Sequence, residues 1–106
     1  MYEKEEILKK RVDEALANLD TPNCANFVEE IQKLAESGYA YAQVEMGRMY
    51  FKGKGVEQSD RMAFDWLQKA AEQGNAEGQR GLAIMYLKGC GVETNYNMAL
   101  EFLKKL

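Results

Sequence analysis

Two stretches read almost alike: "YFKGKGVEQSDRMAF" at residues 50–64 and "YLKGCGVETNYNMAL" at residues 86–100. A paired-glycine run of this kind is either a loop that cradles phosphate or a turn between helices. The two readings lead to different proteins. A phosphate loop follows a strand and places a Ser or Thr after its glycine-lysine pair. Here no strand-like run precedes the glycines, and Gly53-Lys54 and Gly55-Val56 supply no such hydroxyl. The glycines are turns.

The duplication extends far beyond the loop. Subtracting positions gives 89 − 53 = 36, 91 − 55 = 36 and 74 − 38 = 36 for three glycine pairs. The same interval matches Ala40 with Ala76, Gln43 with Gln79, Met49 with Met85, Tyr50 with Tyr86 and Lys52 with Lys88. It continues through Val56 with Val92, Met62 with Met98, Ala63 with Ala99 and Leu67 with Leu103. Chance would match about one position in sixteen at average residue usage. A fixed period of this length marks a repeat architecture, in which each unit buries its apolar face only against its neighbours.

Each unit reads as two helices. The first spans residues 39–51, and again 75–87. The second begins after Ser59 or Asn95, whose side-chain oxygens suit an N-cap, and ends before Gly74, as an earlier helix ends before Gly38. Gly53 and Gly55 reverse the chain between the paired helices with positive φ, and Val56 returns an apolar side chain to the core. The N-terminal segment is a worn copy. "EEILKKRVDEALANL" sets Ile7, Leu8, Val12, Ala15, Leu16 and Leu19 on one helical stripe. Thr21 and Pro22 read as N-cap and first helical residue of the next helix. That helix turns Phe27, Val28, Ile31, Leu34 and Ala35 inward. Lys4, Glu5, Lys9, Lys10, Asp13 and Glu14 give this pair a polar outer face, as a terminal unit needs. The domain expectation is one repeat array: a degenerate capping pair at 1–37, a unit at 38–73, and a unit at 74–106 whose second helix is short. Leu106 corresponds to Ala70, so the array either ends abruptly or is cut from a longer one, and its last helix leaves an apolar face available for self-association.

These residues resemble the Sel-one-like repeat family, a branch of the tetratricopeptide-type α-solenoids. The resemblance rests on Ala42, Met46-Gly47, Met49-Tyr50, the Gly53 to Val56 loop, Ser59, Ala63, Trp66, Ala70-Ala71 and Gly74. In the next unit it rests on Gly78, Leu82-Ala83, Met85-Tyr86, the Gly89 to Val92 loop, Asn95, Ala99 and Phe102. Ser and Asn stand where the family has a capping Asp, and Ala83 where it has a second Gly. The resemblance implies an all-α, right-handed α-α superhelix of about three antiparallel helix pairs, binding peptides or proteins along the concave face of its first helices. Some cysteine-rich secreted relatives are linked to β-lactam binding or hydrolysis. Their cysteine pair falls here on Ala71 and Gln79, so that analogy loses its main support.

Composition narrows the chemistry further. The 106 residues are 46% hydrophobic and 29% charged, with one proline and a net charge of −3. This describes a folded helical chain without the basic cluster that nucleic acid or an anionic membrane requires. The start of the chain lacks the apolar stretch of an export signal, so the expected compartment is the cytoplasm, or the periplasm or exterior if a leader has been removed. There is no histidine, which removes the commonest general base, nucleophile partner and zinc ligand. Cys24 and Cys90 sit at unrelated points of the repeat and read as free thiols. Met46, Met49, Met62, Met85 and Met98 read as adaptable core. Small residues at Gly47, Ala63, Ala83 and Ala99 allow close helix approach, to about 8–10 Å between axes. Charged residues such as Asp65 and Lys69, an i,i+4 pair, belong to solvated faces.

The remaining face is the candidate site. On the first helix of each unit, the stripe opposite the packing residues carries Tyr41, Val44, Arg48 and Phe51, then Glu77, Arg80, Ile84 and Leu87. No pair on this stripe is identical between repeats, and apolar residues beside arginine suit a partner groove. The function expected is a non-catalytic adaptor or scaffold holding a protein or peptide, with no cofactor, metal, nucleic acid or membrane insertion. An inhibitor or immunity-type protein directed at one enzyme is the alternative, since an acidic balance speeds association with a basic target.

Overall fold

A computed structural model describes residues 2–19 and 24–106. Thr21, Pro22 and the side chains of Lys4 and Cys24 lie outside the described residues. Six helices follow one another: α1 (Tyr2–Ala17), α2 (Cys24–Glu36), α3 (Ala40–Lys52), α4 (Asp60–Glu72), α5 (Ala76–Lys88) and α6 (Tyr96–Lys104). Each helix packs on the next, in antiparallel pairs. The molecule measures 40 × 34 × 18 Å. The shortest dimension equals two helix layers, as an α-solenoid requires.

The two glycine loops are built alike. Gly53 and Gly55 have φ of 69° and 78°, and Gly89 and Gly91 have 70° and 71°. A left-handed residue after the last helical turn lets the chain close on its own helix. The Gly53 N–H accordingly donates to the Met49 carbonyl, and the Gly89 N–H to that of Met85. The loop is then tied back to its helix by Ser59 N–H to the Tyr50 carbonyl and Asn95 N–H to the Tyr86 carbonyl, both at 2.9 Å. Ser59 Oγ accepts from the Met62 N–H and Asn95 Oδ1 from the Met98 N–H, so both predicted caps are present. A third cap lies one residue inside a predicted helix start: Asn75 Oδ1 accepts from the Gly78 N–H at 2.9 Å.

Two apolar clusters fill the layers. One joins Val12, Ala15, Leu19, Ile31, Ala35, Ala42, Met46, Met49 and Trp66; the other joins Val44, Ala63, Phe64, Leu67, Ala70, Ala71, Leu82 and Met85. Tyr50 packs against both. Phe64, Tyr86 and Phe102 form an aromatic row, the first two edge to face at 5.6 Å and the last two stacked at 6.0 Å. Three expectations need correction. Ile7, expected on the inward stripe, is 59% exposed. Met62, expected in the core, is exposed in the first turn of α4. Asp65 pairs with Arg61 at 3.6 Å, while Lys69 instead lies 4.7 Å over the Trp66 ring, a cation–π contact that competes for the same ammonium.

Backbones approach closely where α5 crosses α4. A methyl group at Gly78 would stand 2.7 Å from the Ala71 nitrogen and 3.0 Å from the Leu67 carbonyl oxygen. Backbone atoms cannot step aside as a side-chain tip can. Gly78→Ala therefore sets a helix-propensity gain of about 1 kcal/mol against an overpacking penalty of about 1–3 kcal/mol. Urea unfolding is expected to show net destabilisation, the reverse of the usual result for Gly→Ala inside a helix.

Candidate functional site: the cleft between α3 and α5

The side chain of Leu67, from α4, reaches up between α3 and α5. A methyl at Gly47 would lie 2.8 Å from Leu67 Cγ, and one at Gly81 would lie 2.9 Å from Leu67 Cδ1. Leu67 thus occupies the space that side chains at both positions would need. It holds the two helices apart at their base and leaves a cleft of about 190 Å³ above itself. Val44, Gly47, Leu67, Gly81 and Met85 line its depth together with Phe51 and Ile84, and Arg48, Lys52, Glu77 and Arg80 add charge.

Six of the eight predicted stripe residues meet here: Val44, Arg48, Phe51, Glu77, Arg80 and Ile84. Phe51 and Ile84 are 40% and 41% exposed, large apolar groups left open to solvent. Val44 differs from expectation. It is 3% exposed and belongs to the second core cluster, so it is floor rather than contact surface. Leu87 is exposed but stands outside the cleft. Tyr41 also lies elsewhere. Its hydroxyl donates to Asp13 Oδ1 at 2.6 Å, and Lys9 sits 5.5 Å over its ring. Asp13, expected on a solvated outer face, therefore helps tie α1 to α3, beside the Glu5 carbonyl, which accepts from the Tyr39 hydroxyl at 3.3 Å. Burial, then this hydrogen bond to a carboxylate, push the Tyr41 hydroxyl well above its ordinary value.

The charges of the stripe are not independent. Arg48 donates to Glu45 Oε1 at 2.8 Å and to Glu77 Oε2 at 2.9 Å, and Arg80 donates to Glu77 Oε1 at 2.9 Å. One guanidinium thus bridges α3 and α5, and Glu77 is shared between two of them. Exposed pairs add little individually, but a bidentate network fixes side-chain geometry. Glu45 is the buried member, with its side chain 8% exposed. Burial raises its carboxyl above the ordinary 4.5, and Arg48 opposes that rise without cancelling it.

Sequence reasoning missed Gly47, Lys52, Leu67, Gly81 and Met85 as lining residues. Leu67 and Met85 look like plain core from their period. Gly81 stands where the previous unit has Glu45 (81 − 36 = 45), so the repeat offers no counterpart. A helical glycine without a repeat partner was the available hint. Among the described residues, no group of three His, Cys, Asp or Glu could hold a metal ion, and no helix is long and apolar enough to cross a membrane. Cys90 is a half-buried free thiol in the second loop.

The Glu45 shift fixes a pH response. A raised folded-state pKa means that the folded protein holds this proton more tightly than the unfolded chain. Its stabilising effect is complete below the ordinary value of 4.5 and is lost as pH rises through the raised value. In Glu45→Gln this loss is absent. Denaturant unfolding followed from pH 4 upward should show the variant gaining on the wild type, then running parallel once Glu45 is ionised in both states.

Comparison with known proteins agrees with the geometry. The family model for the Sel1 repeat matches residues 40–75 and 76–106, more than half of the chain. The crystal structure of a Sel1 repeat protein from Oxalobacter formigenes is similar over 76% of this chain, with 32% identity and a TM-score of 0.74. That of a protective antigen present in uropathogenic Escherichia coli strains, displaying an SLR fold, is similar over 96%, with 29% identity and a TM-score of 0.81. The chain spans 23% of the length of each of these two structures. No curated protein is significantly similar to it in sequence. Sel1 repeats are generally protein-interaction modules. With the matching repeats, the glycine loops and the stacked helix pairs in agreement, the chain belongs to the Sel1 repeat family.

Proposed function

We propose that the chain is a non-catalytic interaction module that holds a protein or peptide segment against the concave face formed by α3 and α5. The observation carrying this reading is the cleft itself: open, apolar in depth, flanked by exposed Phe51 and Ile84, and edged by fixed charges. Apolar anchors in a desolvated pocket supply affinity, and a charged rim supplies orientation. Nothing in the cleft combines a nucleophile with a base, which favours binding over turnover.

The test must spare the fold. Arg48 supports the buried Glu45 carboxylate, so reversing Arg48 confounds binding with stability. Arg80 and Phe51 are both exposed. The double variant Phe51→Ala, Arg80→Glu is expected to keep its helical circular dichroism and melting temperature while losing at least about tenfold in affinity for a partner captured by the wild type. Equal capture by both proteins would move the site elsewhere.

A second surface supports self-association. Leu100, Leu103 and Leu106 are 51%, 43% and 54% exposed, although Leu67, the 36-residue counterpart of Leu103, is buried. Leu100 and Leu103 on α6, with Leu106 just past its C-cap, form a patch that water does not favour. We propose that this end pairs with a second copy. Sedimentation at rising concentration should show a dimer that Leu100→Lys, Leu103→Lys abolishes.

A further inference from the structure

The walls of the α3–α5 cleft are apolar, but its mouth is cationic. Arg48, Lys52 and Arg80 face a single lining carboxylate, Glu77. Counting the buried Glu45 behind Arg48 still leaves 3 − 2 = 1 positive charge, on a chain whose net charge is −3. Lys52 acts on the buried Glu45 through charge alone, with no salt bridge within 4 Å among the described residues, and both oxygens of Glu77 are already used by the two arginines. The guanidinium of Arg80 is about half exposed and holds only one end of that carboxylate. Five N–H donors on each arginine leave capacity for a further acceptor.

We infer that the cleft takes an extended peptide segment with one large apolar side chain and a carboxylate two residues away. The inference rests on the concave-face reading above and adds the chemistry of the occupant. A space of about 190 Å³ between two helices admits one large side chain rather than a whole helix, so the bound segment is extended. Ile84 and Arg80 are four residues apart on α5, which places them one turn, about 6 Å, from each other. In an extended chain, side chains on the same face recur every second residue, about 6.6 Å apart. An apolar group between Phe51 and Ile84 therefore sets a carboxylate two residues away at Arg80. There it forms a charge-assisted, geometrically matched pair. A basic residue at that place would meet Arg80 and be rejected.

A random heptapeptide display library, selected on the purified chain, tests the inference. The wild type should enrich Phe, Leu, Ile or Met with Asp or Glu two positions away. A synthetic peptide from that pool should bind Arg80→Glu at least about tenfold more weakly, and selection on Arg80→Glu should shift the same position toward Lys or Arg. Ile84→Asp should abolish the apolar preference; circular dichroism verifies that both variants remain folded. Peptides that depend on Phe51 yet carry no acidic preference at that position overturn this inference and leave the concave-face reading standing. Peptides retained equally by wild type, Phe51→Ala and Ile84→Asp, or none retained at all, overturn both.

Discussion

Leu67 sits where side chains at Gly47 and Gly81 would otherwise stand, and the rest of the molecule is arranged around that contact. A methyl at Gly47 would press on Leu67 Cγ and on the Ala63 carbonyl, and one at Gly81 would force the Leu67 tip to turn away. With glycine at both places, one leucine belongs at once to the core of its own helix pair and to the seam with the next. The same leucine is the floor of the cleft. Packing and cleft are therefore not separate features here: the wedge that spaces the helices also creates the opening between them. Its cost is that two helical glycines forgo roughly 1 kcal/mol each of intrinsic helix stability, which tertiary packing must offset.

The periodic parts of this arrangement were legible in the sequence because they recur. The loop glycines, the caps at Ser59 and Asn95, and the burial of Met46, Met49, Met85, Trp66 and Leu82 all follow from a 36-residue interval combined with helical spacing. Positions whose environment depends on neighbours without a counterpart were harder. Ile7 has the right period but lies at the start of α1, where nothing among the described residues covers it. Val44 carries an exposed-face phase, yet it is buried in the apolar cluster that α4 and α5 complete with Leu67 and Leu82 among its members. Phase on a helical wheel gives direction, and only the neighbouring layer decides depth.

Polar contacts between layers were invisible for a related reason. Gln43 repeats as Gln79, which reads as a packing match, but its amide donates to the Ala35 carbonyl and its oxygen accepts from Gln73. That side chain joins the ends of two successive second helices across a buried gap. Tyr41 similarly draws in Asp13, 28 residues earlier. Both bonds satisfy groups that burial would otherwise penalise, and unsatisfied groups of this kind are rare in folded chains. Spacing within one helix contains no information about a partner one repeat away unless that partner also repeats.

The cleft exists chemically because the repeat is imperfect. Its two walls come from equivalent helices, so strict repetition would place the same residues on both. Instead Val44 is answered by Arg80, Arg48 by Ile84, Tyr41 by Glu77 and Glu45 by Gly81, each 36 positions apart. The bridge from Arg48 to Glu77 depends on this: an arginine on one wall finds a carboxylate on the other, where exact repetition would offer a tyrosine. The opposite faces of the same helices, which pack between layers, keep Gln, Met and Tyr at matched places. Identity is kept where layers must superpose, and difference accumulates on the faces that form the cleft, so the proposed peptide, a ligand with a direction, would meet two unlike walls.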